Sequence, residues 1–303
     1  MCYTEYMKRR EKRRKKHHPP SKKKAASFSP LVIILVGILF LLGGVFGFGI
    51  YSKITQGKAI DTYTQKVAKD TDYTGEEVKK AIAYNERIVA LNKGEVLDAA
   101  KANNKNEYNH IFAQNNGIIG ILTIPKISAK LPIYHGTSDD ALMKGVGHVD
   151  DTAFPLDTKG AKSVLTGHNG VLGADMLFTR LDEMKVSDRF QVQVGRWVYH
   201  YQIKRMKVLT PEETEHYAQQ VNRPENKAEV TLVTCTPYGI NTHRLLLIGS
   251  FTHKEKAGEK KASTKENRWS IGKETVAVLV LSIISISTLV YKFEHRKNPT
   301  YIF

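Results

Sequence analysis

Only two cysteines occur in these 303 residues, Cys2 and Cys235, which rules out a disulfide framework as the organising principle of the fold. Proline is missing from the whole stretch between Pro30 and Pro125. That stretch can therefore hold long uninterrupted helix, because proline is the residue that most strongly breaks one. The chain also lacks a glycine-rich phosphate loop, an internal repeat, and any local Cys or His spacing that would hold a structural metal. These absences speak against nucleotide chemistry and a zinc module. The acidic residues do not cluster in an oxygen-ligand loop, so no calcium site is expected. No cofactor and no metal are expected.

Long apolar runs, by contrast, are present. Residues 31–50 (LVIILVGILFLLGGVFGFGI) carry no charge, and a helix needs roughly 20 apolar residues to cross a bilayer. No small-residue cleavage site follows at Ile50-Tyr51-Ser52-Lys53, which favours a retained anchor over a removed signal peptide. A second uncharged run, Thr275 to Tyr291, is near the lower limit of about 17 residues for a spanning helix.

The formal net charge is +16, concentrated toward the ends. Eleven basic residues fall between Lys8 and Lys24, and Lys292, Arg296 and Lys297 follow the second apolar run. Basic residues flanking spanning helices mark the cytoplasmic side, so both ends read as cytoplasmic and the region between the runs as external. A polybasic arm this close to a membrane helix is explained by topology and anionic lipid rather than by nucleic acid. On this reading Cys2 and Cys235 lie on opposite sides of the membrane. Cys235 is then a free external thiol, unusual enough to read as reactive, with a buried inert thiol as the alternative.

The expected organisation is a basic cytoplasmic tail over 1–30, a transmembrane helix over 31–51, an external helical region over 52–115, a catalytic unit over 116–252, a charged linker over 253–274, a second transmembrane helix over 275–291 and a cytoplasmic tail over 292–303. Apolar spacing from Ile54 to Phe112 predicts one or two helices, with a capping box at Thr74-x-x-Glu77 and a stop at Gly94. From Ile118 the texture changes to short β-type runs: 118–124, 127–134, 163–166, 190–194, 197–208, 229–235 and 244–251, separated by turn signals. That pattern predicts a mainly β fold closed or nearly closed into a barrel, with a short helix over 175–183.

The chemistry gathers in Thr231-Leu-Val-Thr-Cys235-Thr-Pro-Tyr-Gly-Ile-Asn-Thr-His-Arg244-Leu-Leu-Leu. Pro237, Gly239 and Asn241 are turn formers. The loop can therefore join two neighbouring strands with Cys235 at the end of one and Arg244 at the start of the next. A permanent cation beside a thiol favours the nucleophilic thiolate, and a guanidinium can also donate hydrogen bonds to a carbonyl oxygen as it gains charge. Acyl transfer further needs a proton donor, for which histidine is suited. His168, in Ser-Val-Leu-Thr-Gly-His168-Asn-Gly, is best placed on local grounds. His135 and His148, beside glycines, and His243, before Arg244, read instead as turn or surface histidines.

The segment around Cys235 and Arg244 resembles the active-site segment of sortases, specifically the pilin-polymerising class C. Similarity extends over residues 117–251, through Pro125-Lys126-Ile127, Leu131-Pro-Ile-Tyr-His-Gly136, Gly145-Val-Gly-His148, Leu165-Thr-Gly-His168 and Leu177-Phe178. The resemblance implies an eight-stranded β-barrel with N-terminal helices and an anchor at each end, and a catalytic trio of Cys235, His168 and Arg244. It implies a Leu-Pro-x-Thr-Gly-like substrate cut between Thr and Gly through a thioester on Cys235. The acceptor would be a pilin lysine amine or, in a wall-anchoring variant, a cell-wall precursor amine; a non-catalytic membrane scaffold is the reading from another class. One departure stands out, since class C sortases often carry a lid with an Asp-Pro-aromatic motif and residues 52–124 contain no proline.

Overall fold

The computed structural model describes residues 30–92, 105–171, 174–219 and 226–258, together with position 288. The expected second anchor, the linker beyond residue 258 and both terminal tails lie outside them. So does Gly94. The described chain begins with helix α1 (Pro30–Lys69), followed by α2 (Thr71–Asn92) and the short α3 (Lys105–His110). Among the described residues no helix is long and apolar enough to cross a membrane; most side chains of 31–48 lie outside them.

Eight strands close into a barrel in the order β1-β2-β3-β4-β9-β10-β8-β7. They are β1 (Ile118–Ile124), β2 (Ala129–His135), β3 (Val146–His148), β4 (Lys162–Thr166), β7 (Arg189–Val194), β8 (Trp197–Leu209), β9 (Glu229–Thr236) and β10 (His243–Lys256). A separate hairpin, β5 (Asn169–Val171) with β6 (Ala174–Leu177), follows β4. Two further helices are α4 (Asp139–Lys144) and α5 (Pro211–Gln219).

The apolar alternation of the strands explains the layers. Leu165, Tyr199, Tyr201, Ile203, Val230, Leu232, Leu245 and Leu247 fill the interior. The intervening Val164, Val233, Leu246 and Ile248 form an outer patch covered by Tyr217 of α5. On the far side of the barrel, Ile60, Tyr63 and Val67 of α1 pack on Ile118 and Ile121. Both of those isoleucines are outward because a register shift between Ile118 and Gly120 inserts an extra residue in β1. At Gly120 only glycine fits, since a Cβ would lie 2.3 Å from the Gln193 carbonyl oxygen.

Three local expectations need correcting. Residues 175–183 hold no α-helix but the end of β6 and a short 3-10 turn over Leu181–Glu183. The register with β5 and the burial of Phe178 against Gly167 override local helix propensity there. Thr74 does not start a helix but lies inside α2, and Glu77 is buried, accepting from the backbone N–H of Phe112 and from Lys80 Nζ. His148 is a core residue of β3, fully enclosed, not a turn or surface histidine.

Candidate active site

Register brings the three singled-out residues together. On antiparallel strands β9 and β10, Cys235 and Arg244 are direct partners, so their side chains leave the same face with Cβ atoms about 5 Å apart. Strand β4 runs parallel to β9, with Thr166 opposite Val233. Two residues further along each chain stand His168 and Cys235. Because side chains alternate faces with a period of two, Cys235 and Arg244 share the outward parity of Val233 and Leu246, and His168 stands just past the end of β4. The strand order β4-β9-β10 puts Cys235 in the middle, with the segment that carries His168 on one side and Arg244 on the other. All three residues are half-buried, at the rim where the outer apolar patch ends.

His168 follows the end of β4, yet its backbone is fastened on both sides. The N–H of Gly167 donates to the Val233 carbonyl at 3.1 Å, prolonging the ladder past the end of β4. Thr234 Oγ1 donates to the Gly167 carbonyl at 2.8 Å, and Asn169 Nδ2 to the Cys235 carbonyl at 2.7 Å. The His168 carbonyl in turn accepts from Phe178 N–H at 3.1 Å. The Phe178 ring lies against Gly167, where an added Cβ would come within 2.9 Å of it. Gly170, at φ +71°, has the Tyr238 ring above it with no space for a side chain. The loop after Cys235 thus packs on the loop after His168.

Arg244 is held by its own loop, Nη1 donating at 3.0 Å to the carbonyls of Asn241 and His243. Its charge also helps to hold the exposed Glu212 carboxyl at the start of α5 below its usual range, behind larger contributions from hydrogen bonds to the Glu212 backbone and to Thr210. His243, the neighbouring candidate, is exposed and bonded only locally, to Thr242 Oγ1 at 3.0 Å. His135 belongs to a buried aromatic cluster with Tyr108 and Phe154.

Sequence reasoning gave Asn169, Gly167 and Phe178 no role of their own, because their contacts are between loops far apart in the chain. Thr234 it left open; burial and the bond to Gly167 make it a clamp beneath the site. A thiol flanked by an imidazole and a fixed cation, on the rigid wall of a barrel, can support nucleophilic acyl transfer.

Comparison with known proteins identifies the class. Residues 122–252 match the Sortase domain family. Sortase D of Bacillus subtilis is 32% identical over 69% of this chain and 88% of its own length. Among solved structures, sortase C1 of Streptococcus agalactiae aligns with a TM-score of 0.55 at 31% identity, covering 65% of this chain and 98% of that one. Sortase C of Streptococcus pneumoniae aligns at 0.54 and 31%, covering 66% and 98%. This chain belongs to the sortase family, the cysteine transpeptidases that act on LPxTG-type surface proteins.

Proposed function

We propose that this sortase polymerises pilin subunits, with Cys235 as nucleophile, His168 as acid and base, and Arg244 as stabiliser of the carbonyl oxygen. The observation that carries the assignment of roles is the register of β4, β9 and β10, in which Thr166 faces Val233 and Cys235 faces Arg244. Support for the class C reading comes from its likeness to sortase C1 and sortase C, the latter described as bearing on pilin substrate specificity.

The Cys235 thiolate attacks the Thr carbonyl of a Leu-Pro-x-Thr-Gly-like signal, and the oxygen gains negative charge toward the Arg244 N–H donors. Collapse breaks the Thr–Gly bond. His168 gives its proton to the departing glycine amine and leaves a threonyl thioester on Cys235. A lysine ε-amine from a second pilin attacks the thioester, His168 takes the amine proton, and an isopeptide forms as the thiolate is released. The uncharged runs 31–50 and 275–291, with their basic flanks, support a two-pass placement with the barrel outside the cell.

The test uses the full chain in detergent with a Leu-Pro-x-Thr-Gly peptide, with and without a lysine-bearing pilin. Mass spectrometry should find the Thr-terminated acyl group on Cys235, and the pilin should give a ladder of covalent polymers. Cleavage persisting in Cys235→Ala would overturn the nucleophile. Cleavage without a ladder, but with transfer to a cell-wall amine, would overturn polymerisation in favour of wall anchoring.

A further inference from the structure

Near the opposite end of β10 from Arg244, three metal-ligating side chains converge: His200 of β8 with His253 and Glu255 of β10. One residue apart on an extended strand, His253 and Glu255 leave the same face. Lys254 between them turns to the other face, pairing with Asp157 at 2.7 Å and lying over the Trp197 ring. The strand continues through Lys256, past residue 253 where a solvated linker was expected to begin. That extension is what brings His253 and Glu255 against the barrel.

We propose that His200, His253 and Glu255 bind a divalent transition-metal ion of the zinc type. Their donor atoms all lie within 4.8 Å of one another. His200 Nε2 and Glu255 Oε1 are 3.1 Å apart, close to the roughly 3.3 Å that separates two ligands on a tetrahedral ion with bonds of about 2.0–2.1 Å. The His200 and His253 rings stack in parallel, centroids 4.2 Å apart and planes 4° apart, so a small rotation of the exposed His253 closes the third position.

The protonation pattern suits ligation at His253, while at His200 the ion would displace the hydrogen that Nε2 donates to Glu255. Thr252 Oγ1 donates its single proton to the His200 carbonyl at 3.0 Å. At its 3.1 Å contact with His253 Nδ1 the hydroxyl oxygen therefore accepts. Nδ1 of His253 carries the hydrogen and Nε2 the lone pair, the tautomer that an outer hydrogen bond fixes in metal-bound histidines. Two imidazole nitrogens and one carboxylate select zinc-like ions over calcium or magnesium, which prefer oxygen alone. A fourth position remains for water. The ligands come from strands far apart in sequence, which is why a search for local spacing finds nothing.

The site is independent of the proposed catalysis, and its test should be kept so. The full chain carrying Cys2→Ala and Cys235→Ala, which removes both competing thiols, is titrated in detergent with Zn2+ against a chromophoric chelator. Melting is followed with and without the ion. Expected are one binding equivalent lost in both His253→Ala and Glu255→Gln, a rise in Tm with Zn2+ that those variants lack, and affinity weakened about tenfold to a hundredfold in Thr252→Val. Tetrahedral Co2+ absorption should appear in the parent and vanish in His253→Ala. Equal stoichiometry and affinity in the parent and both ligand variants would overturn the proposal, as would binding that disappears only with His168→Ala.

Discussion

Two histidines, His148 in β3 and His168 just past the end of the neighbouring β4, both sit beside a glycine, yet the fold gives them opposite surroundings. His148 is sealed in the core. Its Nε2 bonds the Ala153 carbonyl at 2.8 Å, so that nitrogen carries the hydrogen, and Nδ1 accepts from Tyr108 Oη at 2.9 Å. The Phe154 ring stacks on it at 5.2 Å with planes 3° apart. Burial pushes the His148 pKa down to about 3, which makes this imidazole a neutral structural strut. His168 has no such enclosure; only its backbone is fixed, and the ring is left at the rim beside the cysteine strand. The role proposed for His168 rests on an anchored main chain with a side chain left at the rim.

The sharpest way to break this contrast is to delete each ring in turn. His168→Ala is expected to lower transpeptidation by about 10²–10⁴-fold with Tm nearly unchanged, whereas His148→Ala should keep the activity per folded molecule and cost about 2–4 kcal/mol of stability. Peptide cleavage rates set beside calorimetric melts decide it; equal losses of rate in both variants would erase the distinction.

Arg244→Gln tests whether the rim cation acts in the reaction and not in packing. The expected loss is about 10²–10³-fold in kcat, with a smaller loss in Arg244→Lys, which keeps the charge but not the planar fork. A change confined to KM would contradict the proposed role.

The pH dependence follows from His148. Its folded pKa lies below the unfolded value near 6.5, so the neutral ring is the form the fold prefers. Its contribution is fully present above about pH 6.5. It declines as pH falls toward 3, by roughly 1 kcal/mol per pH unit. Urea titrations between pH 7 and 4 should show a shallower decline in His148→Gln than in the parent.

Smallest of all are the clamps. Thr234→Val removes the bond to Gly167 and should cost about 1 kcal/mol, with a modest drop in rate because the His168 loop loses one tether. Asn169→Ala should act in the same direction; chemical denaturation and steady-state kinetics on the two variants measure both effects.

The barrel was legible from residues because seven of its eight strands announce themselves by β-branched and aromatic runs bounded by turn formers. The pairing of Cys235 with Arg244 was legible because the two flank one short loop. Three-residue β3 is too short to carry a period, and β5 and β6 contain Asn, Gly, Ala and Asp, which local preference assigns to turns or helix. The burial of His148 was not legible, since it depends on Tyr108 and Phe154, partners supplied by distant segments. Asn169 and Phe178 escaped for the same reason. The Asp-Pro-aromatic motif is absent from residues 52–124, and residues 93–104 of that region fall outside the described structure.

The parallel pairing of β4 with β9 has a consequence for how such an enzyme can diversify. Two strands that point the same way and finish at the same level must be joined by a long return path, and here it comprises β5 to β8 and α5. Insertions or deletions along that path can change the surroundings of the proposed site. The β4–β9 ladder and the bonds from Thr234 and Asn169 hold the His168 backbone beside Cys235, so new substrate preferences can arise while the proposed reacting groups keep their places.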